Sequence, residues 1–99
     1  MNIEEIYNQY ESQISNAIEE LNEDGDYDED GTIALVKINF DSPDYHGVLD
    51  YLELEEGMRT GDYNRDGGWR LVGFWQNYNE EEVLKLFNGV GDQVKIIPL

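Results

Sequence analysis

An α+β domain with a mostly antiparallel sheet and helices packed on one face is the fold this sequence predicts. Three features predict it. Apolar residues near the N-terminus recur at helical spacing, three later runs carry the β-branched and aromatic residues of strands, and a short Asn-started helix precedes a final strand. The expected order is α-β-β-β-α-β, within a single domain over residues 1–99.

The first helix is expected over about residues 2–22. Ile3, Ile6, Tyr7, Tyr10, Ile14, Ala17, Ile18 and Leu21 follow one another three or four apart, which places them on one helix face. Asn2 with Glu5 three positions later forms a capping box, and Glu4 and Glu5 favour the positive end of the helix dipole. An acidic turn, residues 23–31, follows. Residues 32–40, TIALVKINF, put Ala34, Val36, Ile38 and Phe40 on one side of a central strand and Ile33, Leu35, Lys37 and Asn39 on the other. Ser42-Pro43-Asp44 marks a turn, after which residues 47–54 are expected to pair with the first strand as a hairpin. A looser stretch, 58–68, leads to a third strand over 69–76, where Trp69, Leu71 and Trp75 alternate with Arg70, Val72 and Phe74. Asn79 and Glu82 mark the start of a helix over 80–88, Gly89 stops it, and residues 93–97 close the sheet before Pro98.

Composition narrows the function. With 39% apolar residues and twelve aromatics, the chain can build a core, so its net charge of -17 belongs to a folded domain and not to a disordered tail. Self-repulsion at that charge predicts stability that rises with added salt. The absence of cysteine excludes disulfides, thiolate nucleophiles and Cys-based metal sites. The acidic, periodic N-terminus is unlike a signal peptide, and no apolar run approaches the roughly 18 residues of a membrane span. A cytoplasmic protein without membrane contact is therefore expected. DNA, RNA and acidic lipid would be repelled, which leaves basic proteins and metal ions as partners.

The acid is concentrated early. Residues 1–31 hold eleven of the 23 acidic residues and no Lys or Arg, and Glu19 to Gly31 reads EELNEDGDYDEDG. In an extended chain at about 3.3 Å per residue, Glu23 to Asp30 would present six carboxylates over roughly 26 Å, comparable with one phosphate per about 3.4 Å of a DNA strand. Such a face is expected to enter a cationic groove built for nucleic acid. Glu19, Glu20, Glu23, Asp24, Asp26, Asp28, Glu29 and Asp30 are its candidate residues, joined by Asp44, Asp62 and Asp66 in later acidic turns. Tyr27, Tyr45 and Tyr63 are the candidate aromatic anchors, with ordinary edge packing as the alternative.

One motif offers a different reading. Asp26, Asp28, Asp30 and Gly31 match the opening of an EF-hand calcium loop, and Asp62, Asn64, Asp66 and Gly67 repeat it. Alternating carboxylates suit a hard cation, and glycine at the sixth place permits the sharp turn. The twelfth place holds Lys37 in one copy and Gly73 in the other, where a bidentate Glu belongs. Calcium is thus the alternative ligand, and no other cofactor is expected. The two copies lie in a gapless echo, GDYDEDGTIALVKINF against GDYNRDGGWRLVGFWQ, whose flanking segments do not match. His46 is the single histidine, and with no cysteine it has no nucleophile or second imidazole to work with, so catalysis is not expected. In bulk properties the chain is similar to phage and plasmid inhibitors of restriction or CRISPR enzymes, and to immunity proteins against nuclease toxins. That resemblance, carried by size, acidity and lack of cysteine, implies a protein inhibitor of a nucleic-acid-processing enzyme, of the DNA-mimic type.

Overall fold

The computed structural model describes residues 1–24 and 30–98. Its strands are Thr32–Ile38 (β1), Met58–Asn64 (β2), Trp69–Phe74 (β3) and Gly91–Ile97 (β4), and its helices Ile3–Gln9 (α1), Glu11–Asp24 (α2), Tyr45–Glu55 (α3) and Glu80–Leu86 (α4). The strands form a sheet in the order β2-β3-β1-β4, antiparallel throughout. The α+β class and the antiparallel sheet are those the sequence predicts.

The helices cover both faces of the sheet, where one face was predicted. The reason lies in the two central strands, β1 and β3, whose side chains are buried on both sides almost without interruption. A strand that is apolar on both faces must be covered on both. Ile33, Leu35, Trp69 and Leu71 face Ile6 of α1 and Ile14, Ala17 and Leu21 of α2. Ala34, Val36, Val72 and Phe74 face Tyr45, Leu49 and Leu52 of α3 and Val83 of α4.

Other elements depart from the sequence reading in detail. The first helix is interrupted at Tyr10, whose φ of -108° and ψ of 22° leave the helical range while its ring packs 5.4 Å from that of Trp69. Beyond this joint the helix runs on through Asp24, so Glu23 and Asp24 are helical and not part of a turn. Residues 47–54, predicted as a strand in a hairpin with the first, belong to α3. Tyr45, Leu49 and Leu52 are buried at a spacing of i, i+4 and i+7, a helical stripe. The hairpin partner of β3 is β2, inside the stretch read as loose. The third strand ends at Phe74, two residues early, and β4 begins at Gly91.

The two Asn caps form as predicted. Asn2 Oδ1 accepts the Glu5 N–H at 2.9 Å, and Asn79 Oδ1 accepts the Glu82 N–H at 2.9 Å. A bulge interrupts the β2–β3 pairing between Thr60 and Tyr63. Gly61 occupies it because a Cβ there would lie 2.6 Å from the Leu71 carbonyl oxygen and 2.9 Å from Leu21 Cδ1. The missing side chain lets α2 settle directly on the strand.

Candidate functional site

The acidic surface is built first by α2. Ile14, Ala17 and Leu21 turn inward, and Glu19, Glu20, Glu23 and Asp24 are all exposed. At about 1.5 Å rise per residue these four carboxylates occupy about 7.5 Å of helix axis, a mean step of about 2.5 Å that falls between the about 1.7 Å per charge of duplex DNA and the about 3.4 Å of one strand. The extended spacing predicted from Glu23 to Asp30 does not hold, since its first two members lie on the helix. Asp26, Tyr27, Asp28 and Glu29 lie outside the described residues, and Asp30 is exposed just before β1.

The last two of the α2 acids, Glu23 and Asp24, stand in the final turn, where helix physics opposes them. The C-terminus of a helix carries the negative end of the dipole, and carboxylates there are unfavourable by about 0.3–1 kcal/mol each. Neither α2 nor α3 has a basic residue in its last turn, and both end among acids. One cation answers on α2: Arg59 of β2 donates through Nη1 to the Asp24 carbonyl at 2.8 Å, with Nη2 3.9 Å from the Asp24 carboxylate. That exposed contact adds little by itself, but it ties the acidic helix end to the sheet edge.

A groove of about 250 Å³ lies at this junction, lined by Glu20 and Asp24 of α2 and by Arg59, Gly61 and Asp62 of β2. The fold thus brings Asp62 to the acids of α2, and the close approach allowed by Gly61 sets the distance. Asp62 is also held in place: Oδ2 accepts from Gln13 Nε2 at 2.8 Å and Oδ1 from the Tyr63 N–H at 2.9 Å.

The second calcium-like copy has a local structural role. Asn64 Oδ1 accepts the Gly67 N–H at 2.7 Å and so closes the turn between β2 and β3, in which Asp66 is exposed. Asp62 and Asn64 therefore spend side-chain oxygens on their own chain. Among the described residues no group of three or more His, Asp or Glu is gathered in a way that could hold a metal ion.

Asp44 and Tyr45 stand apart from the α2 surface, at the start of α3. Tyr45 is only 5% exposed and its hydroxyl accepts from Arg70 Nη1 at 2.7 Å, so it packs in the core and offers no free ring to a partner. Phe40 joins it to Tyr63, with ring centroids 5.1 Å and 6.0 Å away. Tyr63 is half exposed and stacks on the Arg70 guanidinium at 4.9 Å. It is the anchor candidate that remains accessible among the described residues. His46 is exposed on the first turn of α3, with its ring 5.1 Å from that of Tyr45.

The sequence reading missed the acids of α3. Asp50, Glu53 and Glu55 lie on α3 and Glu56 caps it, where the sequence predicts a strand, and together with Glu80, Glu81 and Glu82 of α4 they make the second helical layer acidic as well. Charge that is lopsided along the chain is therefore two-sided in the fold. The signal was present in Tyr45, Leu49 and Leu52 at helical spacing. No helix among the described residues is long and apolar enough to cross a membrane. Comparison with protein-family models, curated proteins and solved structures gives no match.

Proposed function

We propose that this chain is a binding protein, not an enzyme, that blocks the cationic nucleic-acid site of a target enzyme in the cytoplasm by presenting carboxylates in place of phosphates. The observation that carries the reading is the acidic C-terminal half of α2, where four exposed carboxylates are gathered and two of them, Glu23 and Asp24, sit in the last turn at the negative end of the helix dipole. Local rules broken without local gain mark places where function outweighs stability. The likeness in charge density to DNA supplies the mechanism: long-range attraction speeds encounter with a basic groove, and occupation of that groove excludes the nucleic acid. Asp62 extends the acidic face, whereas Tyr63, paired with Arg70 and packed near Phe40, lies on the α3 side of the sheet and is no part of it. Anti-restriction and anti-CRISPR proteins, and immunity proteins against nuclease toxins, work by blocking of this kind.

The test is recovery from host lysate in chelator, followed by competition. A basic nuclease or related enzyme retained on the immobilised chain and released by high salt is purified, and its binding to a labelled DNA duplex is titrated with the chain. Stoichiometric displacement is expected, weakened at least about tenfold by Glu20→Lys with Glu23→Lys. Duplex binding that survives saturating chain, or loss of inhibition that is equal for these variants and for Glu4→Lys, rejects the reading.

A further inference from the structure

A second surface lies across the sheet from α2. There α3 packs against β2, and α4 packs against β4 and β1, so the two helices leave a trough between them. Val48, Tyr78 and Leu86 are only partly buried against the core beneath it. A cavity of about 360 Å³ opens there, lined among others by Asp44, Gly47, Val48, Tyr51 and Leu86. Tyr51 is 53% exposed and Leu54, one turn further along α3, is 82% exposed. Residues three apart on a helix are neighbours, so the two form one apolar ledge. At Gly47, exposed on the α3 wall of the cavity, an added Cβ would meet nothing within 4 Å, so that wall leaves room for a side chain.

The rim says what kind of chain fits. Asp44 borders the cavity, Glu56 accepts a 2.7 Å hydrogen bond from the Tyr78 hydroxyl, and Glu82 lies near enough to act on the same phenol. The sequence of α3 contains no Lys or Arg, and that of α4 contains only Lys85. A second copy of this chain would bring the same acids against these, at a net charge of -17 per molecule.

We propose that the trough between α3 and α4 docks a cationic amphipathic helix of a partner protein, its apolar stripe on Tyr51, Leu54 and Leu86 and its Lys or Arg residues on the acidic rim. Helix-in-groove recognition uses this division of labour: apolar anchors at i, i+3, i+4 and i+7 supply contact area, and flanking charges set orientation and rate. The surface is separate from the α2 face and does not depend on its blocking role.

The probe is a synthetic helix of about 14 residues with leucines at those four positions and lysines elsewhere, set against a scrambled isomer of equal charge. Calorimetry gives affinities, and amide chemical shifts place the site. The amphipathic peptide is expected to bind at least about tenfold more tightly than its isomer at about 0.15 M salt. Perturbed amides should lie on α3 and α4. Gly47→Leu, which fills open space, and Leu54→Ser, at an exposed position, should each weaken the peptide at least about fivefold, whereas Glu20→Lys with Glu23→Lys should change it less than about twofold. Equal binding of the two peptides, or shifts centred on α2, overturns the proposal. So does a dimer of the free chain by sedimentation that Gly47→Leu dissociates, because the occupant is then a second copy. If Gly47→Leu does not fold, Leu54→Ser decides.

Discussion

The two sides of the sheet carry the same sign of charge but are finished differently. On the α1–α2 side the core is closed: Ile6, Ile14, Trp69 and Leu71 are fully buried, and Gly61 lets the helix rest on the strand beneath. On the α3–α4 side the core is equally dry at Val72, Phe74 and Val83, yet Tyr51 and Leu54 stand exposed above a trough. One side offers a partner charge alone, and the other offers charge with apolar area. Electrostatics sets encounter rates and orientation, whereas buried apolar contact holds a complex together. The molecule therefore presents two surfaces suited to different partners, or to different parts of one.

The largest effect that tests this contrast is at the closed side. Trp69→Ala removes a fully buried indole that meets Tyr10, and it is expected to lower unfolding free energy by about 3–5 kcal/mol in urea titration. Leu54→Ser on the open side is expected to stay within about ±0.5 kcal/mol. If the two proved alike, Leu54 would be a core residue and the trough closed. Gly61→Ala comes next, at about 1–3 kcal/mol, because the obstructing Leu71 carbonyl is backbone and cannot swing away. Asn79→Ala removes the cap of α4 and is expected to destabilise by about 1 kcal/mol, read from the same titrations.

An effect comparable with that of the cap sits at the trough itself. Tyr78→Phe loses the hydrogen bond to Glu56, at about 0.5–1.5 kcal/mol near neutral pH. The Tyr78 phenol is pushed up to about 12 from 10.0, chiefly by that bond to Glu56 and then by burial. The folded chain thus holds the protonated phenol more tightly than the unfolded chain does. Its contribution is complete below pH 10.0 and fades as pH climbs towards about 12. Urea midpoints across that window should fall more steeply for the parent chain than for Tyr78→Phe. Parallel curves would show that the bond is not formed in solution.

What was legible in the sequence follows the same division. The α1–α2 side declared itself through a long apolar period and an Asn cap, signals that extend over several turns. Its break at Tyr10 was not legible, because the ring is drawn to Trp69, a residue 59 positions away, and no Gly or Pro marks the site. The α3 segment is short, and VLDYLEL carries apolar residues close enough together to fit either period. Ser42-Pro43-Asp44 has the composition of a hairpin turn, which favours a strand after it. In β2, the residues Gly61, Asp62 and Asn64 are poor strand formers whose places are fixed by the bulge and by the turn. Of the candidate site, the acids of α2 and Asp62 do converge; the α3 acids stayed hidden with their helix.

The bulge at Gly61 has a bearing on solubility. A sheet of four strands exposes two outer backbones, and each is a template on which another chain can stack. Both outer strands carry an irregularity, β2 between Thr60 and Tyr63 and β4 between Gly91 and Gln93, but β4 keeps the longer unbroken register, along Gln93–Ile97. Charge guards both edges at neutral pH, but near the isoelectric point of about 4.1 that protection vanishes and only geometry is left. Aggregation in mildly acidic buffer is therefore expected to begin along β4, with β2 the better defended rim.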